Sequence, residues 1–375
     1  MIRTLFTGLI AAVLMLATAP AQAQRSDYLA RLAAYEAAYG PYERQAVAYW
    51  DAVAAKRRIR NAKHRSGERI LLEDYVLTQP PVYTGPPRPV DPDAPPRPPV
   101  EREEMPTIAD FIEAAAEQFG FVPDRPKTES EFMRAYARAA AAAGLTRDQI
   151  VGIYVFETGG NGTHDTQAGV SATRTRPISP AVGYNQLLST ISAATLHSHG
   201  PQLLSALQQK SKMLSGAERQ AMNRKIEALR RMIAHARTVP YQWAALDKLA
   251  KTTRGGWGLH AIVLDIDLGP LVQVQKLVTS VQFARTRRLK RPLTAAELEL
   301  MNLTGDGNGI DMVLMPQAMR ERVPTANFFQ RNGYERNPVA RRTGVVANLI
   351  SDMDAKMAKG AQQPGARELA AAFGP

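Results

Sequence analysis

Apolar residues recur with the 3.6-residue period of an α-helix over most of the chain, and few stretches alternate with the two-residue period of a strand. Between 107 and 120, for example, Ile108, Phe111, Ala115 and Phe119 lie on one helix face. Further helices are predicted over 129–143, 200–235 (a pair divided at 215–216), 241–254, 271–283 and 294–301. The pattern therefore predicts a mainly α fold, and about 250 residues in one helical domain are enough to bury a sizeable core.

One predicted helix carries a candidate catalytic acid, Glu157. Thr146 and Gln149 form a capping box that predicts the helix start, and glycines from Gly159 onward predict its end. Glu157 lies seven residues after Ile150 and therefore on the same face as apolar side chains. A carboxyl group held against apolar surface favours its neutral form, which lifts a glutamate pKa from about 4.3 toward about 6–7, the range of a general acid near neutral pH. The alternative is a helix-end glutamate that simply reaches solvent.

A second segment, S-P-A-V-G-Y-N-Q-L-L-S-T-I-S-A-A-T over 179–195, follows the Glu157 helix after a polar loop. Together the two segments resemble the lytic transglycosylase and goose-type lysozyme-like superfamily, in which a helix ending in Glu-Ser precedes a turn of the form S-P-x-G-A-x-G-L-M-Q-x-M-P-x-T-A. Glu157 and Thr158 match the Glu-Ser pair. The residues that match Gly-Leu-Met-Gln are Gly183, Tyr184, Asn185 and Gln186.

Two further motifs of this family have counterparts later in the chain, in the family's order. The motif A-Y-N-A-G-x-G is similar to L-M-N-L-T-G-D-G-N-G, with Asn302 at the asparagine, and a late-helix tyrosine is similar to Tyr334 in N-G-Y-E-R-N-P-V. The resemblance covers Thr107 to Asp354. The chain departs from the family's pattern in a shorter turn within the second motif and in Met301, which replaces the tyrosine of the third.

The resemblance implies a lysozyme-like domain that cleaves peptidoglycan between N-acetylmuramic acid and N-acetylglucosamine without water. Glu157 is then expected to protonate the glycosidic oxygen and, as a carboxylate, to take the proton of the muramyl C6 hydroxyl, which closes a 1,6-anhydro ring. Thr158, the residues 183–186 and Asn302 are expected to bind the amides and hydroxyls of the substrate. Tyr334 is expected to support the developing positive charge.

Two other functions remain open from the sequence. A hydrolytic muramidase would use Asp165 as a second carboxylate that activates water. A protein with little catalytic activity would instead bind peptidoglycan as a scaffold of an envelope assembly, which the departures in the second and third motifs and the long N-terminal region favour. No metal or other cofactor is expected, because His197 and His199 lack a third ligand and the EF-hand-like 302–307 lacks the glutamate of position twelve.

The ends of the chain predict export and a modular organisation. Residues 1–23 have the pattern of a cleavable signal peptide, with Arg3 before an apolar run that is short for a membrane span. The absence of cysteine excludes a lipoprotein anchor, so a periplasmic location without stable membrane insertion is expected. The predicted order is a helical arm at 24–78 with one or two helices, a proline-rich linker at 79–106, the lysozyme-like domain at 107–357 and a flexible tail at 358–375.

The formal net charge of +12 suits a polyanionic partner. Peptidoglycan, with its stem-peptide carboxylates, is the expected one. Nucleic acid is not expected, because the chain has an export signal and lacks helix-turn-helix, zinc-finger and RNP-type signatures. The alternative is a solvated basic surface that needs no partner.

Overall fold

A computed structural model describes residues 5–95, 105–171 and 173–374, with the backbone alone for 5–23. The protein is mainly helical, which confirms the fold class predicted from the periodicity. Strand pairing in the described ranges consists of isolated bridges. In chain order the helices are α1 (Leu5–Ser66), α2 (Ile108–Phe119), α3 (Glu129–Ala142), α4 (Arg147–Thr158), α5 (Ser189–Met213), α6 (Gly216–Ala236), α7 (Trp243–Thr252), α8 (Arg254–His260), α9 (Gly269–Thr286), α10 (Ala295–Thr304), α11 (Asp306–Leu314), α12 (Gln317–Arg320), α13 (Arg331–Glu335), α14 (Pro338–Thr343), α15 (Val346–Gly360) and α16 (Pro364–Ala371).

The chain divides into two compact units. The first comprises Met1–Arg102 with Arg322–Val345, and the second comprises Glu103–Glu321 with Val346–Pro375. Short 3₁₀ segments lie at Leu72–Asp74, Ala261–Leu264 and Thr325–Phe328. Over the described residues, no helix combines the length and the apolar composition that crossing a membrane requires. The predicted cleavage site at 21–23 lies among residues whose side chains are outside the described ones.

In the first unit the arm, for which one or two helices were expected, contains the single helix α1, which runs without a break through Gly40 and Pro41. Pro41 leaves the carbonyl of Ala37 without its helical N–H partner, and both residues are exposed, so the loss falls on the solvated side of the helix. On either side of this point the rings of Tyr39 and Tyr42 lie 5.6 Å apart. One long helix therefore replaces the two that a proline alone would predict.

The proline-dense segment after α1 contains no helix up to Pro95, as proline predicts, but it does not act as a free spacer. The ring of Tyr83 packs against Tyr35, Tyr39 and Tyr42, with centroids 5.2–6.0 Å away. Arg25 bonds Asp91 and Asp93 at 2.8 and 2.7 Å. The helically spaced tyrosines of α1 thus supply an aromatic surface to which this segment returns. Residues 96–104, the rest of the predicted linker, lie outside the described residues.

Arg322–Val345, which the sequence analysis placed inside the lysozyme-like domain, belongs instead to the unit that holds the arm. The Asn327 side chain pairs with the backbone of Val76 in both directions, at 2.9 and 2.8 Å. Arg57 and the buried Arg60 donate to backbone carbonyls in 327–329. Removing residues 24–100 would therefore strip this segment of its partners.

In the second unit, α4 packs against α10, α15, α16 and α3, while α5 packs against α6, α7 and α8. Ile150, Ile153 and Tyr154 of α4 are fully buried. Gly152 permits the close approach of α10, because a Cβ there would lie 2.6 Å from the Cβ of Ala295. This contact brings the middle of α4 against the first turn of α10.

The C-terminal residues form ordered structure where the sequence predicted a flexible tail from 358. α15 continues to Gly360, and α16 buries Ala366 and Leu369. The backbone N–H of Ala366 donates to the carbonyl of Gly160 at 2.9 Å. The tail therefore packs on the turn that ends α4, because that turn leaves its backbone groups open to pairing.

Candidate active site

Glu157 lies in the last turn of α4, and the local signals in the sequence define both ends of this helix. The Thr146 hydroxyl accepts from the N–H of Gln149 at 3.2 Å, and the Gln149 side chain accepts from the N–H of Thr146 at 2.9 Å. Gly159 ends the helix with φ of 73°, in the left-handed region where glycine is favoured. The predicted capping box and glycine stop are both confirmed.

The Glu157 carboxyl group meets two side chains of α10. Asn302 Nδ2 donates to Glu157 Oε1 at 3.1 Å, and the same nitrogen lies 3.5 Å from Glu299 Oε1. Asn302 Nδ2 therefore lies between the two carboxyl groups, and each of them alters the pKa of the other. Glu299 is fully buried, whereas Glu157 and Asn302 are partly exposed. Glu157 is therefore the member of the carboxyl pair that reaches the surface of the unit.

Burial raises the pKa of Glu157 above its usual value near 4.5, against the hydrogen bonds from Glu299 and Asn302 and the charge of Lys356. The pKa of Glu299 is raised well above that value, first by burial and then by the neighbouring Glu157 carboxyl group. Two carboxyl groups in contact cannot both ionise without strong repulsion. The pair therefore retains a proton under conditions in which an exposed glutamate has lost its own.

Two lysines lie near the pair without neutralising it directly. Lys356 of α15 donates to the carbonyl of Phe156 at 2.7 Å, and its ammonium lies 4.0 Å from the centroid of that ring. Lys276 of α9 lies 3.6 Å from Asp306, which is its ion-pair partner. Both charges oppose the effect of burial, Lys356 at Glu157 and Lys276 at Glu299.

The predicted second motif forms a tight reverse turn. Val182 and Leu187 exchange backbone hydrogen bonds at 3.1 and 3.0 Å, and Gly183 has φ of 87°. Gln186 also has a positive φ, 43°, which is uncommon for a residue with a side chain. Its amide donates to the carbonyls of Thr166 and Gly183 at 2.9 and 2.8 Å, so the side chain is held in place by the turn it belongs to.

Tyr184 and Asn185, predicted as substrate-binding residues, are instead core residues. Tyr184 is fully buried, and its ring lies 4.8 Å from that of Tyr154. Asn185 is 2% exposed, accepts from the Tyr136 hydroxyl at 2.7 Å and donates to the carbonyl of Gln273 at 3.1 Å. Their bulk and amide groups anchor the turn to α3, α4 and α9, which leaves them no surface for a ligand.

The remaining predicted residues have other partners. The Thr158 hydroxyl donates to the carbonyl of Tyr154 at 2.6 Å, one turn back along α4. Asp165 accepts from Arg125 and from the Thr163 hydroxyl, and these contacts lower its pKa although burial opposes ionisation. Asp165 is therefore an ionised, paired carboxylate.

Tyr334, the fourth predicted motif residue, belongs to the first unit. Its ring lies 5.6 Å from that of Trp50 and 6.2 Å from that of Phe329. It is 5% exposed, so its ring serves the packing of that unit.

Glu299 is the residue of this cluster that sequence reasoning missed. A signal was present, because Glu299 lies three residues before Asn302 and so on the same helix face. It is also an acid among the apolar residues Leu298, Leu300 and Met301, all of which are buried.

Over the described ranges, no group of three or more histidine, aspartate or glutamate side chains is arranged to hold a metal ion. Comparison of the chain with known protein families, with curated proteins and with solved structures finds no match. The chemistry of the site therefore has to be argued from Glu157, Glu299 and Asn302 themselves.

Proposed function

We propose that this protein cleaves glycosidic bonds in the glycan strands of peptidoglycan, with Glu157 as the general acid. One observation carries the proposal: a glutamate whose pKa is raised by burial ends an apolar helix, reaches the surface and is held by an amide donor. General acid catalysis needs a proton donor whose pKa lies near the working pH. The order of the Glu157, 183–186 and Asn302 motifs supports a lysozyme-like domain in the second unit.

The favoured reaction is the nonhydrolytic one. Protonated Glu157 gives its proton to the glycosidic oxygen as the bond to C1 of the muramyl sugar breaks. The Glu157 carboxylate then takes the proton of the C6 hydroxyl, whose oxygen bonds to C1 and closes the 1,6-anhydro ring. No water is consumed, and Glu157 ends the cycle protonated, so a single acid serves both steps.

Two side chains are suited to position the sugar. Asn302 fixes the orientation of the Glu157 carboxyl group through its 3.1 Å hydrogen bond. Gln186 is partly exposed and its amide nitrogen is engaged by backbone carbonyls, which turns its carbonyl oxygen into the group that accepts from a substrate amide or hydroxyl. Fixed dipoles of this kind lower the barrier because they need no reorganisation during the reaction.

The cell wall fits the other properties of the chain. A net charge of +12 attracts a polyanion such as peptidoglycan. The signal-like residues 1–23 support export to the periplasm, where this substrate lies.

The test is mass spectrometry of the muropeptides that purified protein releases from insoluble sacculi. We expect products with a 1,6-anhydro end, lighter by one water than hydrolysed products. Glu157→Gln is expected to keep the fold and to lose at least about 10²-fold in cleavage rate, the usual contribution of such a group. Glu297→Gln, which alters another buried glutamate of the same unit, is the matched control and should retain cleavage. Undiminished cleavage by folded Glu157→Gln protein would refute the assignment.

Hydrolysis is the second candidate, because the lowered pKa of Asp165 keeps it ionised as a base requires. Reducing-end products, together with a crippled Asp165→Asn variant, would favour it over ring closure. If sacculi are bound in a salt-sensitive way but no glycan is cut, the protein is a wall-binding scaffold.

A further inference from the structure

The role of Glu299 follows from what surrounds it. Its side chain is fully buried, and its Oε2 has no donor from the other described residues. An ionised carboxylate in that position would leave a buried charged oxygen unpaired, which is costly. A protonated Glu299 removes this cost, because a neutral carboxyl group leaves no buried charge unpaired.

We propose that Glu299 is a positioning residue that stores the proton for Glu157, so that the two carboxyl groups share one proton which passes to Glu157 when a glycosidic oxygen arrives. This inference rests on the proposed function. The proton moves from the Glu299 O–H to Glu157 and from Glu157 to the leaving oxygen. Both carboxyl groups are then ionised until the C6 hydroxyl returns a proton, and their repulsion makes the Glu157 carboxylate a stronger base toward that hydroxyl. Glu157 passes the returned proton back to Glu299, so no proton is gained or lost over the cycle.

The charged groups around Glu299 fit a shared proton rather than a permanent ion pair. Glu299 is faced by Glu157 on α4, Tyr136 on α3 and Lys276 on α9, and Lys276 is paired with Asp306 on α11. Lys356 on α15 acts on Glu157. Glu297, on the same helix, is held by Arg291 at 2.6 Å. Lys276 is near enough to favour ionisation of Glu299 but is itself paired with Asp306. Lys276 therefore stabilises a transient negative charge on Glu299 but does not form a permanent ion pair with it.

The test compares the pH dependence of glycan cleavage in wild-type protein, Glu299→Gln and the control Glu297→Gln. A glutamine at 299 keeps the size and the donor toward Glu157 but cannot release a proton. We expect the alkaline limb of the Glu299→Gln profile to move to lower pH. The cleavage rate of Glu299→Gln should be at least about tenfold below that of wild type near pH 8, and the difference between the two rates should be smaller at acid pH. The Glu297→Gln profile should keep its shape. A Glu299→Gln profile that superimposes on the wild-type one would overturn the proposal.

A second measurement needs no glycan and no folded variant. In wild-type protein with ¹³C-labelled glutamate carboxyl groups, NMR should show one glutamate that stays protonated at pH values well above 4.5, the usual pKa of this side chain. If every glutamate carboxyl group titrates at ordinary pH, the proton store does not exist. The two proposals fail separately: full activity of Glu157→Gln removes the proposed function, whereas inactive Glu157→Gln with an unshifted Glu299→Gln profile removes the proton store alone.

Discussion

Two buried glutamates of α10, Glu297 and Glu299, have opposite electrostatic surroundings. Glu297, in the first turn, is 4% exposed and accepts two hydrogen bonds of 2.6 Å from the Arg291 guanidinium and one of 3.0 Å from the N–H of Thr294. Glu299, in the middle of the helix, is 0% exposed and faces the carboxyl group of Glu157. Burial favours the neutral form of both, yet the partners lower the pKa of Glu297 and leave that of Glu299 raised.

Burial alone therefore does not decide whether a buried glutamate is ionised or neutral; its partners do. A bidentate guanidinium turns Glu297 into a fixed structural anion that also caps the helix. A second carboxyl group turns Glu299 into a proton holder. The two residues are separated by one position along the chain, and neighbouring positions on a helix point in different directions, so each meets a different partner.

The largest expected effect comes from making Glu297 resemble Glu299. Arg291→Met removes the nearer of the two guanidinium groups beside Glu297 and leaves Arg320 at 3.9 Å. We expect a loss of about 2 kcal/mol in the free energy of unfolding near pH 7, below the range for fully buried pairs because Arg291 is half exposed and Arg320 remains. Glu297 has a lowered pKa in the folded state, so its stabilisation exists above its unfolded pKa and disappears as pH falls. Urea unfolding should therefore show that the difference in the free energy of unfolding between wild type and Arg291→Met disappears below about pH 4. An equal loss at every pH would point to lost packing instead.

A smaller effect is expected from Glu299 on the pH dependence of stability. Because its folded pKa is raised, the native state binds more protons than the unfolded state, and stability falls as pH rises above the unfolded value near 4.5. We expect wild-type protein to lose stability from this source as pH rises above that value. Denaturant titrations should show a shallower decline in Glu299→Gln. Parallel declines in the two proteins would mean that Glu299 is ionised in both states.

The smallest effect concerns Lys276, which opposes the raised pKa of Glu299 from α9. Lys276→Met should raise the pKa of Glu299 further, and the rise should be small because Lys276 is already paired with Asp306. The carboxyl resonance of Glu299 measures the shift directly. A fall in that pKa would show that Lys276 acts through packing rather than charge.

Much of the local structure was predictable because its causes are local. The capping box at Thr146, the glycine stop at Gly159 and the apolar period of α4 are each written within a few residues. Their sum correctly placed Glu157 at a helix end, on the face that meets α10. The mainly α class followed from the same periodicity repeated along the chain.

The rest depended on contacts between distant residues. Motif matching pointed to Tyr184 and Asn185 as substrate-binding residues, but three rings from α3 and α4 enclose the tyrosine and the Gln273 backbone pairs with the asparagine. Pro41 does not break α1, because the hydrogen bond that it removes lies on an exposed side of the helix. The late segment 322–345 joined the unit of the arm through Asn327, whose partner Val76 lies 251 residues earlier.

The helices, their caps and the position of one acid at a helix end can be read from the sequence, because backbone hydrogen bonds and side-chain periodicity act within a few residues. The protonation of the two buried acids of α10 depends on long-range contacts. Glu297 and Glu299 have the same side chain on the same helix, and their difference comes from Arg291 on one side and from α4 on the other. Electrostatic energies in a dry interior depend on the distance between charges in space, which the order of residues does not contain.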